Sequence, residues 1–329
     1  MQARAIFFTG VNQVAVDTIT IPDPGPSEVL IEAAYTCISP GTELRCLAGQ
    51  QPNAVAWPFV PGYALAGRVI ARGEGATLAV GAPVFCGGAR GTDRNLMWGG
   101  HVSHATRHET DVFPVPEGVD LLDAVITKLA AITYHGVRLS RPLPHEKVAV
   151  VGLGPIGQLS ARLHAAAGAH VLGIDLSPER VALAQQAGVD AIVPQGSLAD
   201  AARQVFPEGA DIVVDATGAS SVLPQALEIA RDLDWTDTVA PGARFVVQGS
   251  YPGDFALPYQ QAFQKEVTVL IPRDTQPRDL RAALDLMRRG KLHARDLISD
   301  VHPPERAAET YAELRAAKGG MMTVAFGWV

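Results

Sequence analysis

Gly152, Gly154 and Gly157 stand in the spacing G-x-G-x-x-G directly after the β-branched run 148–151, and Asp175 follows eighteen residues beyond the last of them. A dinucleotide's pyrophosphate requires those residue types at that spacing. The first glycine permits the tight turn out of a strand, the second lets backbone approach phosphate with no Cβ between, and the third lets the next helix pack closely on the sheet. Pro155 opens that helix, where a missing N–H costs little, and Ile156 continues it. The unpaired N–H groups and the positive end of the helix dipole then face the phosphates. Asp175 ends a second strand, 169–175, where its carboxylate accepts from both ribose hydroxyls of the adenosine and repels a 2′-phosphate; NAD(H) is favoured over NADP(H). Arg180, five residues on, tempers that preference, since its guanidinium could stack on adenine or reach a 2′-phosphate.

The elements that must position these groups fall into two patterns. Up to about residue 119, short strands broken by Gly and Pro at 5–8, 14–21, 28–36, 67–71 and 83–86 predict a compact β-barrel. A helix is expected at 121–139. From 147, strands at 148–151, 171–174, 191–193, 212–215, 244–248 and 267–271 alternate with helices that include 158–167, 178–186 and 223–230, which argues an α/β fold with a doubly wound parallel sheet. After Pro272 come a helix at 277–289, a short segment at 297–301, a helix at 304–317 and a last strand at 323–326. A lone final strand needs a sheet to join, so the tail is expected to return to the barrel. The expected domains are 1–120 for the catalytic barrel, 121–271 for the cofactor and 272–329 for the returning segment. The cleft between the domains is the default place for chemistry. The acidic, aromatic stretch 232–237 reads as a surface loop.

A chain of 329 residues, 47% hydrophobic and 19% charged, has the composition of an ordered globular protein with room for two cores. Its formal charge of -7, with scattered arginines, gives no footprint for nucleic acid. No apolar run suits a membrane span or a secretory leader, and a cytoplasmic location is expected. Cys37, Cys46 and Cys86 form neither an even disulfide framework nor a C-x-x-C pair and read as small, partly buried side chains.

The order of barrel, glycine-rich core and returning tail resembles the medium-chain dehydrogenase/reductase superfamily, best known for zinc alcohol dehydrogenases. The likeness is carried by Gly41-Thr42-Glu43, Val60-Pro61-Gly62-Tyr63, Gly81-Ala82-Pro83-Val84, Gly99-Gly100-His101, Pro114-Val115-Pro116-Glu117-Gly118, the 152–157 loop and Asp215-Ala216-Thr217-Gly218. The resemblance implies a GroES-like barrel beside a Rossmann domain. Zinc members place ligands at positions that here read Pro40, Tyr63 and about Leu129, none of which offers the thiolate, imidazole or carboxylate that zinc takes. The four-cysteine lobe of the structural zinc is missing too, so no metal is expected. Something else must then stabilise the developing alkoxide, and the resemblance points to Thr42, which matches a proton-relaying hydroxyl, to Tyr63 at a vacated ligand position, and to His101, which in relatives lines the substrate pocket. On the cofactor side it implies Thr133, Thr217 beneath the nicotinamide ribose, and Gly249 and Ser250 at the carboxamide. Tyr134 and His135, which follow Thr133 in the helix leading toward the cofactor, are further candidates for touching nicotinamide or substrate, the alternative being that neither does. His104, His108, His145 and His164 read as surface residues.

Within the superfamily the chain looks most like the zinc-lacking branch typified by bacteriochlorophyllide hydroxyethyl dehydrogenase, and the expected activity is zinc-independent, NAD(H)-linked interconversion of a secondary alcohol and a ketone. Two alternatives stand beside it: an NADPH-dependent quinone or enoyl reductase, and a non-catalytic dinucleotide-binding protein. The resemblance also implies a homo-oligomer, a dimer joined through the Rossmann sheet edge at 244–272.

Overall fold

The computed structural model describes residues 1–236, 241–251, 253–317 and 320–328. It divides into two compact units, one of Met1–Lys128 with Leu280–Ala317 and the last strand, the other centred on Leu129–Asp279. The sequence places these borders at 120 and 271. The first border lies later because helix Leu121–Ala124, capped by the Asp120 carboxylate on the Asp123 N–H at 2.8 Å, packs on the strands Glu28–Cys37 and Leu65–Arg72. The second lies later because Asp279 is bonded to His135.

In the first unit, strands Gln13–Thr20, Gln2–Gly10, Phe59–Val60 and Asn95–Leu96 form one sheet. A second sheet runs Ile298–His302, Thr323–Gly327, Glu28–Cys37, Leu65–Arg72, Pro83–Cys86 and Val112–Pro114, with His104–His108 also paired to Glu28–Cys37. The final strand thus enters a sheet begun some three hundred residues earlier, with Ala325 opposite Cys37. Phe8, Phe59, Tyr311 and Phe326 fill the space between, all fully buried, with Phe8 edge-on to Tyr311 at 5.0 Å.

The second unit is a six-stranded sheet, parallel throughout, in the order Asp190–Ile192, His170–Ile174, Lys147–Val151, Ile212–Asp215, Arg244–Val247 and Thr268–Leu270. Both faces are apolar because helices cover both: Ala149, Val151, Leu172 and Val213 pack on one side, Val148, Val150, Val171 and Val214 on the other. This is the α/β architecture the sequence implies, with a barrel domain and a doubly wound parallel sheet.

Several local expectations are corrected. The helix at 121–139 is two helices, Leu121–Ala124 and Thr127–Ser140, because the Thr127 hydroxyl bonds back to the Ala124 carbonyl at 2.5 Å across the β-branched pair Val125-Ile126. Helix Pro40–Leu47 goes unmarked in the sequence reading although Pro40 opens it and the Glu43 carboxylate reaches back to the Ser39 N–H at 2.7 Å. His164 is not a surface residue: it is 1% exposed, held by the Ser160 carbonyl and the Ser140 hydroxyl, and burial pushes its pKa down to about 4. His104 is half-buried in a strand, whereas His108 and His145 are exposed. The stretch 232–237 ends outside the described residues at Asp237, and its Trp235 is 80% exposed. Among the described residues no helix is long and apolar enough to cross a membrane.

Candidate functional site

The cofactor half is built at the carboxyl ends of the parallel strands. Gly152 leaves its strand at φ +87°, a conformation L side chains rarely adopt. A Cβ on Gly157 would lie 1.7 Å from the Gly152 carbonyl oxygen, so this glycine is what seats helix Pro155–Ala166 on the turn. A Cβ on Gly154 would meet only Arg180 Nη1, at 4.0 Å. That side of the loop is open, as a pyrophosphate requires, with Pro155 and Ile156 half-buried at the start of the helix beside it. The Asp175 carboxylate accepts from Leu153 N–H at 2.6 Å and Ser177 N–H at 2.8 Å, which ties the second strand to the glycine turn and leaves lone pairs for ribose hydroxyls. Arg180 Nη1 sits 3.6 Å from the same carboxylate. Loop and acid together fit a dinucleotide.

Beside them, two loops are clamped by Asp215, which is fully buried. Its Oδ1 accepts from the Thr217 hydroxyl at 2.7 Å, its Oδ2 from the Tyr251 hydroxyl, and its carbonyl from Gly249 N–H at 2.8 Å. Thr217 and Ser250 are exposed, one on each loop. Nothing in the sequence singles out Tyr251.

Burial pushes the Asp215 carboxyl up to about 6 against the opposing bonds from Thr217. Because the folded value lies above the unfolded one, the native state keeps a proton between about pH 4 and pH 6 that the unfolded chain has released. Stability therefore falls as pH rises through that window, by roughly 3 kcal/mol at most. Asp215→Asn is expected to remove the fall, so that its unfolding free energy in urea gains about 2–3 kcal/mol on the wild type between roughly pH 4 and pH 7. A difference that stays constant with pH would show that the carboxyl is not held protonated.

Thr133 and His135 are placed elsewhere than expected. The Thr133 side chain is buried and its hydroxyl is spent on the Leu129 carbonyl at 2.8 Å. His135 is buried against Asp279, 3.0 Å away, with Arg138 on the same carboxylate, so it anchors a helix end instead of presenting a ring to substrate. Tyr134 is half-buried.

The first unit gathers hydroxyls. Tyr63 donates to Ser39 Oγ at 2.6 Å and lies 3.3 Å from Thr42 Oγ1, with its ring edge-on to Trp98 at 5.2 Å. Ser39, unmarked in the sequence, is thus the phenol's nearest partner of the two. His101 is placed behind this group and not in a pocket: it is fully buried, with Nδ1 2.8 Å from Thr36 Oγ1 and Nε2 2.8 Å from Glu43 Oε2. Gly62, at φ +83°, makes room for it, since a Cβ there would fall 2.6 Å from the ring. Trp328 Nε1 donates to Thr36, and Tyr311 donates to Glu43. Glu43 also takes the Ser39 N–H, so this buried carboxylate fixes the start of the helix that carries Ser39 and Thr42 beneath Tyr63.

The residues at the family's zinc positions do not fit that ion. Pro40 opens a helix, Leu129 is 2% exposed, and the Tyr63 hydroxyl is engaged with Ser39. Cys37 and Cys46 are buried, which pushes their thiols up to about 12, as suits small core side chains. Among the described residues no group of three or more His, Cys, Asp or Glu is placed to hold a metal ion.

Residues 25–117 match the alcohol dehydrogenase GroES-like domain, and residues 155–289 match the zinc-binding dehydrogenase domain. The chain belongs to the medium-chain dehydrogenase/reductase superfamily and is an NAD(P)-dependent oxidoreductase. It is similar to the 2-desacetyl-2-hydroxyethyl bacteriochlorophyllide A dehydrogenase of Cereibacter sphaeroides, 28% identical over 95% of this chain and 94% of that one. It is 25% identical to the sorbitol dehydrogenase of Halalkalibacterium halodurans over 94% of both. A short chain alcohol dehydrogenase of Escherichia coli CFT073, solved with NADH, superposes with a TM-score of 0.85 over 99% of both chains at 19% identity, a likeness of fold.

Proposed function

We propose that this chain interconverts a secondary alcohol and a ketone with NAD(H), without a catalytic zinc. One observation carries the assignment: the Tyr63 hydroxyl, at a position the family gives to a zinc ligand, lies 2.6 Å from Ser39 Oγ and 3.3 Å from Thr42 Oγ1. Such a cluster can take the alcohol proton and stabilise the oxygen as the ketone forms. The dinucleotide supplies hydride transfer when bound; the glycine loop and helix Pro155–Ala166 hold its phosphates, Asp175 its ribose, and the loops bearing Thr217, Gly249 and Ser250 its nicotinamide end. His101 acts through Glu43, by holding the helix in place.

The secondary alcohol follows from relatives named for oxidising sorbitol and a hydroxyethyl group. A dimer through the edge strand Thr268–Leu270, where Val269 and Ile271 are exposed, belongs to the same proposal; Pro252, within the expected contact segment, lies outside the described residues.

Chelator-treated, metal-free protein is expected to reduce NAD⁺ with at least one member of a panel that includes sorbitol and 2,3-butanediol, followed by NADH absorbance. In parallel titrations NADH should bind at least about tenfold tighter than NADPH, since a carboxylate beside a 2′-phosphate costs on the order of 1–2 kcal/mol at a partly solvated site. Activity lost on chelation and restored by zinc overturns the metal-free mechanism. A preference for NADPH would move the chain toward the quinone and enoyl reductases, and tight NADH binding with no turnover toward a binding protein.

A further inference from the structure

Lys128 supplies a cation beside Tyr63. It is the second residue of helix Thr127–Ser140, between buried Thr127 and buried Leu129, and is itself half-buried. A lysine so placed must pack its stem and find an electron-rich partner for its head. Its Nζ lies over the Tyr63 ring, 5.9 Å from the centre, while Trp98 meets the same ring edge-on and the hydroxyl reaches Ser39 and Thr42. Cation, phenol and two hydroxyls are therefore assembled from three separate stretches of chain, next to the position where the family takes its positive charge from a metal.

We propose that Lys128 is the positioning residue that makes Tyr63 a proton acceptor, its charge stabilising the phenolate while Ser39 and Thr42 carry the proton onward. This rests on the assignment of Tyr63 to proton handling. In the oxidising direction the substrate O–H bond breaks and its proton goes to Tyr63 Oη. With an oxidised nicotinamide bound, the C–H bond would break with both electrons leaving as hydride for it, and the electron pair left on oxygen would close the C=O bond. The proton on Tyr63 then passes through Ser39 Oγ or Thr42 Oγ1 to solvent. A positive charge near the ring favours the phenolate form that begins this sequence. Other titratable groups on the elements around Tyr63 include Glu43, Arg45 and Cys46 of helix Pro40–Leu47, His101 behind Gly62, and Tyr134, His135 and Arg138 further along the helix of Lys128, the last two bonded to Asp279. Glu43 opposes Lys128 in sign, but its carboxylate is spent on Ser39 N–H, His101 and Tyr311.

The test is a titration that needs no substrate. Protein carrying [13Cζ]tyrosine is followed by NMR from about pH 6 to about pH 11, and Tyr63→Phe identifies the resonance among the six tyrosines. Tyr63 is expected to ionise about one to two pH units lower in the wild type than in Lys128→Met, with Lys128→Gln as the second neutral variant should the first fail to fold. Lys128→Arg should restore the wild-type midpoint to within about half a unit. The pH profile of kcat for whichever alcohol the panel identifies should move by the same amount. Equal midpoints in the wild type and either neutral variant overturn the role of Lys128 and leave that of Tyr63 standing, whereas full activity in Tyr63→Phe overturns the assignment on which it rests.

Discussion

Replacing Tyr63 by phenylalanine is expected to lower kcat for alcohol oxidation by about 10²–10³-fold, the range a positioned proton acceptor contributes, while NADH affinity stays within about twofold because the dinucleotide loop lies in the other compact unit. Phenylalanine keeps the ring, its edge-on packing with Trp98 and its place under the Lys128 ammonium. Only the hydroxyl goes, and with it the bonds to Ser39 and Thr42. Those bonds are worth about 1 kcal/mol each to folding, so the melting temperature should drop by only a few degrees. A merely space-filling Tyr63 would behave differently. Its phenylalanine variant would turn over like the wild type, and proton handling would have to be sought elsewhere in the first unit. Ser39→Ala and Thr42→Ala should each cost less, on the order of tenfold, because each leaves the phenol with the other hydroxyl as a route for the proton.

The two halves of the site differed in how far the sequence betrayed them, for a physical reason. A dinucleotide is held by backbone: the glycine turn, the helix that Pro155 opens and the acid eighteen residues beyond all lie in one short stretch, and each demands a residue type that shows in the sequence. The proton-handling group is a meeting of distant side chains. Ser39, Glu43, Tyr63, His101 and Lys128 come from separate stretches of the first 128 residues, Tyr311 joins them from the returning helix Ala307–Ala316, and no periodic pattern records that. Tyr63 and Thr42 could be singled out only because the family resemblance marked their positions. His101 was marked too, but its burial was not visible, since a histidine bonded through both nitrogens looks the same in sequence as one facing a pocket. His135 and His164 were misplaced for the same reason: their partners, Asp279 and Ser140, lie far along the chain. The helix expected over 121–139 missed its break because one threonine hydroxyl, not a glycine or proline, makes it.

Gly157→Ala is expected to weaken NADH binding by at least about a hundredfold and to cost about 1–3 kcal/mol of stability or more, because its methyl group would stand 1.7 Å from the Gly152 carbonyl oxygen. That neighbour is backbone, so relief requires the turn or the first turn of helix Pro155–Ala166 to move, and either movement carries the N–H groups away from the phosphate. Gly154→Ala makes the informative contrast. Its methyl group would meet nothing nearer than Arg180 Nη1 at 4.0 Å, so the apo protein should melt as the wild type does. The same methyl group would project from the face of the loop left open for the pyrophosphate, and NADH affinity should still fall by tenfold or more, about 1.4 kcal/mol. Isothermal titration with NADH alongside thermal melting separates the two effects: loss of both in Gly157→Ala, loss of binding alone in Gly154→Ala. Wild-type NADH affinity in Gly154→Ala would mean that the open side of the turn is not where phosphate lies, and the dinucleotide would have to approach the sheet by another loop.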